Sequence, residues 1–144
     1  MLGDTMTDYA TTTPHASPTI LDVRLYWRAS AYLLAAAAVA GALLNAITGE
    51  VVGIPNVLMF DWAHNGLHAV LAAASFTFGY AALKPAIVRG AAITFGIIYG
   101  GLGVLGLILG LEAELFGLIG IELGENLLHV GLGAWAIASA VASR

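Results

Sequence analysis

Four long apolar stretches, each broken by only a few polar side chains, divide the sequence: roughly Ala29 to Thr48, Val57 to Leu83, Gly90 to Leu111, and Leu115 to Ala142. Each is long enough to cross a hydrocarbon core, which takes about 20 helical residues. Their Ala, Leu, Ile and Gly runs lack the alternation of a transmembrane strand, so helices are favoured over a barrel. The pattern predicts an all-α fold, a four-transmembrane-helix bundle with short connections. Residues 1–18 are polar and Thr-rich, with Pro14 and Pro18, and lack the basic, apolar and small-residue order of a signal peptide. They are expected to be a disordered cytoplasmic tail. Thr19 to Arg28 then lies along the interface with Tyr26 and Trp27 as belt aromatics. The expected division is a polar tail over 1–28 and a membrane domain over 29–144.

Composition agrees with this reading. Hydrophobic residues make up 60% of the 144 residues and charged ones 10%, against about a quarter charged in soluble domains, and the mean hydropathy is +0.90. An integral membrane protein is expected, with the lipid bilayer as its first partner and other membrane subunits or a second copy as protein partners. The basic residues Arg24, Arg28, Lys84, Arg89 and Arg144 fall in the tail, the middle connection and the carboxyl end. Four spans put all of these on one side, which the positive-inside rule makes cytoplasmic. The other connections hold Glu50, Glu112 and Glu114. The expected location is therefore the cell membrane, multi-pass, with both termini inside. No basic cluster offers a footprint for nucleic acid. The absence of cysteine excludes disulfides, iron–sulfur clusters and thiol nucleophiles. Lys84, the single lysine, falls at a span end, so no buried lysine is available for a Schiff base. No phosphate-binding Gly-rich loop or Ser-His-Asp constellation is present.

A shift of 61 residues superimposes the first helix pair on the second. It matches Arg28 with Arg89, Gly49 with Gly110, Asn65 with Asn126, and His68 with His129, and sets Asp61 against Glu122 and His64 against Glu125. Polar residues seldom coincide by accident in apolar sequence. The register predicts two duplicated helical hairpins, over 28–82 and 89–143, related by a pseudo-two-fold axis along the membrane normal. Spans two and four would then run parallel and lie diagonally across the bundle. In span three, Gly96, Gly100, Gly103, Gly106 and Gly110 stay near one face, a small-residue stripe that lets helices approach closely. The alanine run Ala35 to Ala38 reads the same way.

Span two carries Asp61, His64, Asn65 and His68 on one helical face, and span four repeats the spacing with Glu122, Glu125, Asn126 and His129. Seven helical residues cover about 10 Å, which puts the acids near the outer interface and His68 and His129 inside the outer half of the bilayer. Ionisable groups at such depth point to function by default.

The strings HNGLH (64–68) and ENLLH (125–129), each opening a membrane helix in a duplicated four-helix chain, resemble the domain-of-unknown-function 4383 family of prokaryotic membrane proteins. The resemblance covers roughly residues 28–143. It implies the four-helix topology and directs attention to the HNxxH-like motif, with Glu125 departing from a symmetrical histidine pair; it implies no activity.

Three readings of the polar face stand side by side. In the first, His64, His68, Glu125 and His129 bind a transition metal ion as two i,i+4 pairs, with Asp61, Asn65, Glu122 and Asn126 orienting them. In the second, His68 and His129 are axial ligands of a haem. In the third, the polar side chains only hold the helices in register through interhelical hydrogen bonds. A proton or ion relay is a variant, because histidine exchanges protons near neutral pH. Below the histidines, however, Ser75, Thr77 and Ser139 are the hydroxyls these two spans offer, while Asn45 and Thr48 extend the polar cluster outward. The expected role is an accessory or binding module, with enzymatic activity open only through the polar face itself.

Overall fold

The computed structural model describes residues 19–55, 57–109, 114–115, 119–120 and 122–143. The tail over 1–18, and with it Gly110, Glu112 and Arg144, lies outside the described residues. Four helices carry the fold: α1 (Val23–Thr48), α2 (Trp62–Tyr80), α3 (Pro85–Leu109) and α4 (Leu123–Ala142). Between the first two lie the short strands β1 (Val52–Ile54) and β2 (Leu58–Phe60), and between the last two β3 (Glu114–Leu115) and β4 (Ile119–Gly120). Two helices, α1 with 26 residues and α3 with 25, are long and apolar enough to cross a membrane.

Helix boundaries follow local chemistry. Asp22 caps α1, its Oδ1 accepting from the backbone N–H groups of Arg24 and Leu25, both at 2.8 Å, which satisfies donors left open by the first turn. Gly49 closes the helix in the left-handed conformation (φ 75°), its N–H donating to Asn45 O at 2.8 Å. Pro85 opens α3, a position where its missing N–H costs nothing.

Three boundary expectations need correction. Val23 to Arg28 is the first part of α1 and not a separate interfacial helix. Tyr26 and Trp27 are consequently buried, at 0% and 2% exposure, and are core residues instead of belt aromatics. The second and fourth apolar stretches do not begin as helix. Val52–Ile54 and Leu58–Phe60 pair antiparallel, Gly53 opposite Met59, with Val57 N–H closing the turn on Ile54 O at 2.9 Å. β3 and β4 pair likewise. These β-branched runs around Pro55 carry a hairpin signal that the surrounding hydrophobicity hides.

Helix α1 packs along α2 and α3 along α4, while the two pairs touch each other over much shorter stretches. Close packing within each pair is set by glycine. A Cβ on Gly133 would stand 2.6 Å from both Cα and N of Gly100, one on Gly96 2.7 Å from Gly133 O, and one on Gly103 2.6 Å from Asn126 O. The described part of the expected small-residue stripe therefore is the α3–α4 contact. In the other pair, Gly41 faces the Asn65 side chain and Gly79 lies where a Cβ would be 3.0 Å from Arg28 Cγ.

At the end opposite the strands, Val23, Tyr26, Trp27, Val88, Ala92, Ala136 and Ala140 form an apolar core. Tyr26 meets Trp135 edge-on at 5.1 Å, Trp27 lies 4.9 Å from Phe78, and the Trp27 indole donates to Val88 O at 3.2 Å. Arg24 donates to Ala81 O and Leu83 O at 2.9 and 2.8 Å, and Arg28 to Gly79 O at 3.0 Å. Two cations thus satisfy carbonyls where α2 ends, as the helix dipole favours.

Because Gly133 Cβ would meet backbone that cannot swing aside, Gly133→Ala is expected to destabilise the α3–α4 pair by about 1–3 kcal/mol, the usual cost of overpacking. Denaturation in mixed micelles, followed by circular dichroism, measures this, and Gly66→Ala, where a Cβ meets nothing within 4 Å, serves as the comparison.

Candidate functional site

The predicted polar faces of α2 and α4 turn toward the interior. His64, Asn65, His68, Glu122, Glu125 and Asn126 are all buried, and His129 is half-buried. The two faces meet at His64 and Glu125, whose Nδ1 and Oε1 atoms lie 3.3 Å apart. That separation is a close ion-pair distance, but the angles are not those of a hydrogen bond, so both atoms lack a hydrogen-bond partner.

Asp61 serves the backbone. It is the N-cap of α2, and its Oδ1 accepts from His64 N–H at 2.8 Å, so its bond goes to the helix start and not to an imidazole as expected of an orienting acceptor. Glu122 occupies the equivalent position before α4 but makes no side-chain cap bond. Its Oε2 is buried without a partner.

The asparagines do interhelical work. Asn45 of α1 donates from Nδ2 to Glu50 O at 2.7 Å and Phe60 O at 2.8 Å, and its Oδ1 accepts from Asn65 Nδ2 at 2.5 Å. One side chain thereby joins α1, both ends of the first β-hairpin and α2. Across the molecule, the absence of a Cβ on Gly106 leaves room for the Asn126 side chain. The amide of Gly124 donates to Val57 O at 2.9 Å, which ties the start of α4 to the turn of the other half.

Each deeper histidine packs against another ring. His68 lies 4.4 Å from His64 between centroids, tilted by 50°; His129 lies 4.2 Å from Tyr99, tilted by 52°. Their Nδ1 atoms are buried without a hydrogen-bond partner, whereas the Glu125 carboxyl lies beside His64. His68, Glu125, His129 and Tyr99 line a cavity of about 320 Å³ between α1 and α4, whose remaining wall is apolar and includes Leu33, Ala37, Phe60 and Leu128. An unsatisfied polar group away from water is costly, so the two deeper histidines beside this cavity call for a partner.

The expected metal set is not assembled. Among the described residues no three His, Asp or Glu side chains group as a metal site; His64 pairs with Glu125, while His68 and His129 pack on rings. The expected haem pair, His68 and His129, does line one cavity, where each imidazole also packs tilted against a neighbouring ring, His64 and Tyr99 respectively. Tyr99 is the site residue that sequence reasoning missed. Its signal is a lone phenol in the glycine-rich third span, at a position where the other half has Ala38. Ser30 and Tyr26 of α1 join Ser75 of α2 and Ser139 of α4 as buried hydroxyl groups.

Removing Asn45 orphans more than removing Asn65, since Glu50 O and Phe60 O lose their donor. Asn65→Leu is expected to cost about 1 kcal/mol, in the range of interhelical hydrogen bonds, and Asn45→Leu clearly more. Equal effects in a denaturant titration of the two variants would contradict the shared role assigned to Asn45.

No family model matches this chain, and neither a curated protein nor a solved structure does, so the family resemblance rests on the two HNxxH-like strings alone.

Proposed function

We propose that the protein is a small multi-span membrane protein, built from two duplicated hairpins, that acts as a binding module for a small guest held by the His68, His129 and Glu125 group. Two observations support the membrane part and two the duplication. Large apolar side chains are exposed on all four helices, among them Leu43, Val70, Ile97 and Leu128. Only 28% of the most apolar window of α1, and likewise of α3, is buried, unlike a soluble protein's core helix. α2 and α4 begin at Trp62 and Leu123, in step with the 61-residue register of the sequence. The strands recur in both connections. With four spans, Arg24, Arg28, Lys84 and Arg89 gather at one end, which the positive-inside rule assigns to the cytoplasm.

The observation that carries the binding reading is the cavity of about 320 Å³ between α1 and α4, lined by His68, His129 and Glu125, with the Nδ1 atoms of both imidazoles buried and without a hydrogen-bond partner. That is the anatomy of a small-molecule site, mostly apolar with a few convergent polar groups. The purely structural reading is favoured by the Asn45–Asn65 bond. It accounts for the asparagines and leaves the two deeper histidines unexplained. Metal and haem occupants are outcomes of the same test.

Protein purified from its native membrane is expected to release a stoichiometric small molecule or ion on denaturation, read by absorption, metal analysis and mass spectrometry. The His68→Gln/His129→Gln double variant should lose it by about tenfold or more, equivalent to about 1.4 kcal/mol, with unchanged helical circular dichroism. Wild-type protein and variant emptying alike would refute the binding reading. Topology has a separate check, since the chain contains no cysteine. Glu50→Cys should react with an impermeant maleimide in intact cells, and Lys84→Cys only after the membrane is opened.

A further inference from the structure

Two grooves run between the helix pairs, and they differ in chemistry. The groove between α2 and α3 encloses about 430 Å³ and is lined by Leu67, Leu71, Ala74, Phe78, Phe95 and Ile98, among others, with no histidine or carboxylate. The groove between α1 and α4 is smaller, about 320 Å³, yet both deeper histidines and Glu125 line it. The repeat register relates the two, since Leu67 and Leu128, Leu71 and Leu132, and Ile98 and Ala37 are 61 residues apart. Polar groups have been concentrated in one of two otherwise similar apolar grooves.

From this contrast we infer that the α1–α4 groove takes a lipid-soluble ring compound bearing carbonyl or hydroxyl oxygens, of the quinone class. The inference rests on the binding reading above and names the guest of that same site. Access is apolar: Leu33 and Leu128 at the mouth are 47% and 50% exposed, so a hydrophobic tail lies there in contact with lipid. Among the apolar lining stand His68, His129 and Glu125, and His68 is 92% buried, at 8% exposure, with Nδ1 lacking a hydrogen-bond partner. A neutral imidazole both donates and accepts, and a carboxyl group does so when protonated, so these side chains can pair either a carbonyl or a hydroxyl oxygen. Phe60, Tyr99 and His129 supply ring surfaces for a flat guest. The volume is at the small end of the roughly 300–1,000 Å³ of ligand pockets, which fits one substituted ring with its tail outside. An acyl chain, having no polar head to satisfy, gains nothing from the imidazoles and would prefer the larger α2–α3 groove.

The test is equilibrium dialysis of ubiquinone-1 against the full chain in lipid nanodiscs, with protein-free nanodiscs subtracted. Saturable binding near one per chain is expected. Ala37→Phe, which fills the α1–α4 groove, and His68→Gln/His129→Gln should each weaken it by about tenfold or more, while Ala74→Phe in the other groove leaves it within about twofold. If Ala37→Phe fails to fold by circular dichroism, Leu33→Trp blocks the exposed mouth instead. Naphthalene, a flat ring without oxygen, should bind at least about tenfold more weakly. No saturable binding, equal binding of naphthalene, or sensitivity to Ala74→Phe alone would overturn the proposal. Should ubiquinone-1 fail while protein from the native membrane still releases a His68- and His129-dependent guest, the quinone class falls and the binding module stands; if neither is found, both fall.

Discussion

Close approach at glycine inside each helix pair is the constraint on which the rest of the structure depends. Gly100 and Gly133 bring the α3 and α4 backbones together, with Gly96 against Gly133 O, while between α1 and α2 Gly79 lies close to the Arg28 backbone and Gly41 leaves room for the Asn65 side chain. Packing that is tight within pairs leaves the faces between pairs to be filled by side chains alone. They fill unevenly. At one end the aromatic core of Tyr26, Trp27, Phe95 and Trp135 closes the space; higher up the filling thins, and lateral grooves open on both flanks.

The polar residues are placed by the same geometry. Because α2 and α4 belong to different pairs, their polar faces look at each other across the bundle and not along a packed seam. His64 and Glu125 span that gap. The asparagines, being nearer the seams, are used within them: Asn65 bonds to Asn45, and Asn126 occupies space left by Gly106. Position relative to the seam therefore sorts similar side chains into different tasks, with asparagine holding helices together and histidine lining a cavity.

Much of this could be read from residue spacing. Helical period put His64, Asn65 and His68 on one face, the 61-residue register linked that face to Glu125, Asn126 and His129, and the glycine spacing of the third span marked the α3–α4 contact. Other features escaped for physical reasons. Hydrophobicity measures burial in lipid or protein without distinguishing helix from strand, so β2 and β4 fall inside the second and fourth apolar stretches. Tyr26 and Trp27 are amphipathic, and their place depended on whether α1 began at Val23 or Ala29, which the Asp22 cap decides. Which donors would converge was also hidden. An i,i+4 spacing aligns His64 with His68 on the helix, yet pairing across helices depends on the separation of α2 and α4, a tertiary quantity. The ring stacking of His129 on Tyr99 is likewise a product of packing.

Tyr99 belongs to the wall of both grooves. Its phenol, 6% exposed, is thus a partition one side chain thick, with an apolar compartment on one flank and the imidazole-lined compartment on the other. The residue 61 positions earlier in the sequence is Ala38, which has no ring to contribute. One phenol ring therefore contributes a face to each of two crevices of unlike chemistry.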